Sequence, residues 1–354
     1  MSPELHPLAE RYLDALYELP PELRARKPLE DELAAQMTAG HHVCIRGFWR
    51  VGKTTLMAGA LQRACERSGG AAFVLDLRDP DREDGMPQSV DAVLGRVKAK
   101  VDEFLKRVGA TELKSDPKKP LEVLGELAAP LFVGFDELVA LHNLGLDNAR
   151  AVIDVLLTTP KNVKVAVVCH RHRDMDALFE ESVVARAGVM TVLLGGISDE
   201  ELVNIVNTPA LAFGVAFENE ALGELADITG NRPWELITLC AICASRLPKD
   251  FKGTVKPEQV DELISLDVLG EHEAGRALIE TYLRILVTAM NAEERTVMEL
   301  LSAGKEGEAT EDALARLEAA GWIATVEEGM EITSGLMDGI ARAVADGEIR
   351  VSVE

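Results

Sequence analysis

Short apolar runs alternate with stretches of helical spacing through the first half of the chain, and the alternation stops near residue 195. The runs cover residues 43–45, 71–77, 130–135, 163–168 and 190–194, and each reads as a buried strand. Between them, residues 53–67 and 148–157 place apolar side chains at helical intervals. Residues 79–129 are polar and also read as helical, with breaks at Pro80, Pro87, Pro117 and Pro120. Strands that are apolar throughout and alternate with helices predict a parallel sheet covered on both faces. Ahead of the first strand, residues 8–19 form an amphipathic helix closed by Pro20-Pro21, and residues 29–38 form a second that ends near Gly40.

Beyond Gly195 the strand signal is lost. Ser198 followed by Glu201 is a capping box, and the pattern stays helical to about residue 290, punctuated by Pro209, Gly230 and Pro233. Helices follow at 292–302 and 310–320. A hairpin then spans 322–326 and 330–333, turning at 327–329, and a last helix covers 336–344. Two helices, a hairpin wing and a helix make a winged-helix outline.

A length of 354 residues is too much for one ordinary core and predicts more than one domain. With 4% aromatic residues, the cores are expected to be built from Leu, Val, Ile and Ala. A formal charge of −23 works against non-specific binding to nucleic acid or to an anionic membrane. The acidic N-terminus has no apolar segment of the signal-peptide kind, and no run reaches the length of a membrane span. Five scattered cysteines suit a reducing, cytoplasmic setting. Cys240 and Cys243 have redox-motif spacing but lie in an apolar helical run, where packing is the expected role. There is no internal repeat and no long low-complexity tract.

Candidate chemistry begins with Gly47-Phe48-Trp49-Arg50-Val51-Gly52-Lys53-Thr54, a GxxxxGK[ST] phosphate loop between an apolar strand and a helix. Gly47 and Gly52 free the backbone to turn its N–H groups toward phosphate oxygens, and the helix that follows directs its positive end to the same place. Lys53 is expected on the β- and γ-phosphates and Thr54 on Mg²⁺. Arg50 and Thr55 are counted with the residues that hold the nucleotide.

Such a loop calls for an acid at the end of another apolar strand. Asp136 and Glu137 supply it after LFVGF, Asp136 for the Mg²⁺ shell and Glu137 to orient or deprotonate an attacking water. The plainer reading is a pair of acids capping a helix. The fourth strand runs into Cys169-His170-Arg171-His172-Arg173, a basic cluster at the edge where α/β sheets bind ligands. A γ-phosphate sensor on Arg171 or His170, a solvated loop, and a metal site on His170 and His172 are the readings it allows.

With these residues in place, RGFWRVGKTTL, LFVGFDEL, VAVVCHRHRD, LLGGISDEEL and LADITGNRPWEL resemble, in order and spacing, the STAND and archaeal-type ATPases among the relatives of AAA+ proteins. The resemblance covers residues 27–246. It implies a sensor role for Arg171 and a helical lid carrying Pro233 near the nucleotide. It implies a second phosphate sensor at Arg232 and an arginine finger for a neighbouring subunit at Arg186, for which a plain surface arginine is the alternative. Asn231 stands where the family has a second Gly, and Cys169 and His170 stand where it has small hydroxyl residues. The long C-terminal repeats of many STAND proteins are missing.

Residues 291–354 hold 15 acidic residues against 5 Lys and Arg, and the helix at 310–318 that would enter a DNA groove is itself acidic. DNA binding relies on Lys and Arg to neutralise phosphates, so a protein-facing role is the better expectation for this segment. The sequence thus predicts an α/β fold: a P-loop NTPase parallel-sheet core with an α-helical lid and a C-terminal winged-helix domain. The segments are 1–40 (N-terminal helices), 41–196 (core), 197–290 (lid) and 291–354 (winged helix). The expected ligands are ATP and Mg²⁺. The leading functional expectation is a cytoplasmic ATPase that switches protein partner binding or its own assembly into a homo-oligomer. A AAA+ ATPase acting on DNA is the alternative, and a nucleotide-holding module without turnover is a third.

Overall fold

The structure, a computed structural model, describes residues 6–17, 26–47, 50–82, 85–170, 189–262, 265–286, 290–326 and 329–346. The chain resolves into two compact units. One comprises residues 26–49 and 53–194, and the other residues 1–25, 50–52 and 195–354.

In chain order the elements begin with α1 (Pro7–Tyr17), which belongs to the second unit, and α2 (Lys27–Thr38), which opens the first. The first unit continues with β1 (Val43–Gly47), α3 (Lys53–Ser68), β2 (Ala71–Asp76), α4 (Val90–Arg107), β3 (Leu131–Asp136), α5 (Leu146–Leu157), β4 (Val163–His170) and β5 (Met190–Leu194). The five strands form one parallel sheet in the order β2-β3-β4-β1-β5. Every residue of β3 is buried, as the unbroken apolar run requires of a strand covered on both faces. One core layer joins Val97, Val101 and Phe104 of α4 and Val152, Ile153 and Leu156 of α5 to Val133, Phe135, Val165 and Val167 of the sheet. Helix α2 is clamped to α3 by Arg63, which bonds the buried Glu30 and also Asp31.

Residues 79–129, expected to be helical, contain α4 and a 3-10 turn at Glu122–Glu126; the other described residues of the stretch are irregular. The prolines that punctuate this stretch lie outside the regular elements.

The second unit continues with α6 (Asp199–Leu211), β6 (Val215–Phe217), α7 (Asn219–Thr229), α8 (Pro233–Ser245), β7 (Gly253–Val255), α9 (Pro257–Asp261), α10 (Leu266–Glu271) and α11 (Glu273–Arg284). The Ser198–Glu201 capping box forms as expected, with both reciprocal hydrogen bonds in place. The expectation of helix alone over residues 195–290 is corrected by β6 and β7, which pair in parallel. Strands of three residues leave no readable period. Pairing between residues distant in sequence makes them, helped by the Asn207 side chain accepting from the Phe217 N–H at 2.8 Å.

Helix α8 is buried almost throughout, Cys240 and Cys243 included, and burial pushes the Cys243 thiol up to about 12. Its apolar residues on every side are those of a helix packed on all faces. The C-terminal part is α12 (Ala292–Ser302), α13 (Glu311–Ala320), β8 (Ile323–Val326), β9 (Gly329–Ile332) and α14 (Gly335–Ala345), with β8 and β9 antiparallel: a winged helix. Among the described residues no helix is long and apolar enough to cross a membrane.

Candidate nucleotide site

The sheet order sets β4 between β1 and β3 and brings the C-terminal ends of all three to one edge. Gly47 ends β1 against β5 with no room for a side chain, since a Cβ there would lie 2.3 Å from the Leu194 carbonyl oxygen. Phe48 and Trp49 lie outside the described residues. Arg50 and Gly52 both hold positive φ, at +62° and +86°, which turns the chain sharply before α3. Lys53 then opens α3, where the first turn of a helix offers unsatisfied N–H groups to an anion.

Lys53 is 5% exposed, and its pKa is lowered to about 8. Burial is the cause, opposed by the negative fields of Glu137 and Asp136. Thr54 hydrogen-bonds the Asp136 carboxylate through its side chain. Asp136 also accepts the Glu137 N–H at 2.9 Å, and burial raises its pKa. Glu137 stands in the left-handed region at φ 55°, ψ 45°, where it caps the 3-10 turn Leu138–Leu144. The turn departs from the strand direction immediately after Asp136. Thr55 is half-buried in the first turn of α3.

On β4, Cys169 is fully buried, and burial drives its pKa up to about 12, so the group beside Lys53 is a neutral thiol. His170, the last residue of β4, sits opposite Gly47 in the backbone register. Arg171, His172, Arg173 and Arg186 lie outside the described residues.

Sequence reasoning missed one pair at this edge. Asp76, the last residue of β2, is the register partner of Asp136. Its carboxylate takes the Arg78 N–H at 2.8 Å and the Arg78 Nη2 at 2.6 Å. Arg96 fixes the turn by donating to the Asp76 and Leu77 carbonyls at 2.6 and 3.1 Å. Asp76 itself raises the Arg78 pKa, and the fields of Glu137 and Asp136 add to the effect. An acid ending an apolar strand was the available signal, and the 71–77 run carried it.

The other residues singled out from the sequence belong to the second unit. The Arg50 guanidinium lies 4.0 Å from the centre of the Trp234 ring, and Gly52 packs near Pro233. Asn231 holds φ +57°, so the lid turn keeps the left-handed geometry that glycine allows. Arg232, expected as a phosphate sensor, is 3% exposed. Its Nη1 donates to the Tyr282 hydroxyl at 3.0 Å. Its Nη2 donates to Thr333 Oγ1 at 3.0 Å and to the Gly321 carbonyl at 3.3 Å. The guanidinium also stacks 4.8 Å from the Trp322 ring centre.

A buried lysine at a helix start, a hydroxyl bonded to a carboxylate and a second carboxylate beside it can hold a polyphosphate and a divalent cation together. No family model matches the chain, and no curated protein matches it in sequence. Its fold is similar to that of a Walker-type ATPase of Pyrococcus abyssi, PABY2304, with TM-score 0.61 and 16% identity over 92% of this chain and 99% of that one. It is also similar to the ORC2 protein of Aeropyrum pernix, solved in ADPNP and ADP complexes, with TM-score 0.59 and 13% identity over 93% and 96% of the two chains. The chain shares with both the same fold: a parallel-sheet core, helices after it and a winged-helix end.

Proposed function

We propose that this chain binds ATP with Mg²⁺, hydrolyses it slowly or on stimulation by a partner, and uses the nucleotide state to control protein partner binding or its own assembly. The observation that carries the reading is the constellation of Lys53, Thr54, Asp136 and Glu137 at one sheet edge, with Thr54 already bonded to Asp136. In this reading Gly47, Arg50, Gly52, Lys53, Thr54 and Thr55 hold the phosphates, and Thr54 and Asp136 hold the cation, which would neutralise charge between the phosphate oxygens. Glu137 orients or deprotonates water. Arg171 and Arg186 keep the sensor and finger roles, and Pro233 the place near the nucleotide, that the family resemblance implies. The adenine nucleotides bound to the ORC2 neighbour support ATP as the ligand. The four segments 1–40, 41–196, 197–290 and 291–354 are proposed as the working parts.

The acidic balance of residues 291–354 favours a protein partner. The DNA-acting alternative draws on the winged-helix fold. Both meet one set of measurements: nucleotide affinity by calorimetry, and size in solution with and without ATP, for the wild type and Lys53→Ala. ATP-dependent assembly lost in Lys53→Ala supports the switch. Turnover stimulated by duplex DNA, with a mobility shift at moderate salt, transfers the assignment to the alternative. An absence of ATP binding by the wild type refutes both.

A further inference from the structure

The turn between α7 and α8, residues 229–235, is engaged on two sides. On one side are Arg50, Val51 and Gly52 of the phosphate loop, which group with this unit rather than with the sheet. Arg50 stacks on Trp234, and a Cβ on Gly52 would lie 3.9 Å from Pro233 Cγ, so the two residues are close neighbours. On the other side is the winged helix. The Ser334 hydroxyl donates to the Ile228 carbonyl at 3.0 Å. A Cβ on Gly230 would lie 2.2 Å from the Thr333 carbonyl oxygen, so the two backbones touch directly. Arg232 reaches Tyr282 on α11 and Gly321 and Thr333 at the two ends of the hairpin, with Trp322 under its guanidinium. Tyr282 and Trp322 themselves meet edge to face at 6.4 Å.

Two features make this arrangement more than packing. Arg232 is a cation removed from water, a costly placement that persists here because its two terminal nitrogens are occupied and its face is stacked. Its neighbours in sequence, Pro233 and Trp234, are the residues next to Gly52 and under Arg50 of the phosphate loop. Three consecutive residues, Arg232, Pro233 and Trp234, therefore carry both sets of contacts, with no flexible segment between them: Pro233 is the first residue of α8, and Arg232 is its N-cap.

We infer that residues 229–235 are a coupling element that transmits the state of the phosphate loop, through the Arg50–Trp234 contact and the close approach of Gly52 to Pro233, to the β8–β9 hairpin, and that Arg232 is the strut of this element rather than a phosphate sensor. The inference rests on the nucleotide-binding reading for its biological input. The mechanical link itself is a property of the described contacts. A ligand that draws Arg50 off Trp234 changes the packing of α8's first turn. The winged helix, bound to that turn by Arg232 and Ser334, follows it as one body. Coupling of this kind is reciprocal, so a change made at the hairpin must be felt at the loop.

Reciprocity gives a test that does not need nucleotide. Hydrogen exchange is measured on the full chain for the wild type, Thr333→Val and Trp322→Leu. Thr333→Val removes only the hydroxyl that accepts from Arg232, and it stands in should the larger change at Trp322 unfold the unit. The expected result is exchange faster by at least about fivefold in the peptides covering residues 50–56 and 229–236, the lower end of couplings between distinct sites. Unchanged exchange at residues 50–56 in a folded Thr333→Val variant overturns the link. The second arm adds ATP analogue and Mg²⁺ to the wild type and to Trp234→Ala, with affinity followed separately by calorimetry. Protection of residues 321–334 should respond in the wild type and cease to respond in Trp234→Ala while that variant still binds. Wild-type binding without a response at residues 321–334 overturns the inference. A lack of binding in calorimetry, with the first arm positive, refutes the ATP reading and leaves the mechanical link standing.

Discussion

Replacing Glu235 with Gln should stabilise the protein, and more so as the pH rises. Glu235 is 1% exposed, and its pKa is raised to about 7 from an ordinary 4.5. Burial is the cause. The attraction of Arg232, a hydrogen bond from Tyr282 and the field of Arg50 work against it without cancelling it. The contacts explain why: Arg232 Nη1 stands 3.8 Å from Oε1, too far for a hydrogen bond, and Oε2 has no hydrogen-bond partner. Because the folded pKa lies above the unfolded one, the folded state holds the proton more tightly, and stability is lost as the pH rises from 4.5 through 7. A shift from 4.5 to about 7 corresponds to about 3 kcal/mol lost by pH 8, but only about 1 kcal/mol by pH 5. Gln keeps the shape and a hydrogen-bonding group and cannot ionise. Glu235→Gln should therefore exceed the wild type by about 3 kcal/mol at pH 8 and by about 1 kcal/mol at pH 5. Urea unfolding followed by tryptophan fluorescence, which reports Trp234 and Trp322 in this unit, reads the difference as a midpoint shift at unchanged slope. A gap between variant and wild type that stays constant from pH 5 to 8, or a variant less stable at pH 8, would refute the assignment of a destabilising ionisation to Glu235.

Other outcomes follow from the same geometry. Glu137→Gln should keep nucleotide affinity and lower steady-state ATP turnover by about 10²- to 10⁴-fold, as expected for loss of a general base; unchanged turnover removes Glu137 from that role. Gly47→Ala puts a methyl group 2.3 Å from the Leu194 carbonyl oxygen and should reduce thermal stability, since backbone has to move; an unaltered melting temperature would show that β5 yields freely. At Asn231, with φ +57° and a buried side-chain oxygen that lacks a partner, Gly should be tolerated or stabilising. Ala there should cost about 1 kcal/mol by equilibrium unfolding, and a reversed order would contradict the left-handed backbone.

The amino-acid pattern alone determined the five core strands, the helices that separate them and the winged-helix outline, because these elements announce themselves through local periodicity. Runs such as LFVGF and VKVAVV are short, apolar and bounded by turn residues, which reads as interior strand, and S-D-E-E carries its own cap. The phosphate loop and the acid pair were legible for a related reason: a loop that must turn its N–H groups inward needs glycine at set intervals, and a cation site needs a carboxylate at a strand end. The β6–β7 pair was not legible, since each strand is three residues long and exists only through pairing with the other. The Asp76–Arg78 clip is local, but its place beside Asp136 was not legible, since it depends on β2 and β3 being register neighbours although the α4 segment separates them in sequence. Arg232 shows the difference most plainly. Family resemblance offers it as a phosphate sensor, and only the tertiary structure shows its guanidinium beside Tyr282, Gly321, Thr333 and Trp322. A side chain's charge is written in the sequence. What that charge faces depends on residues 50 to 101 positions away, and only the folded chain brings them together.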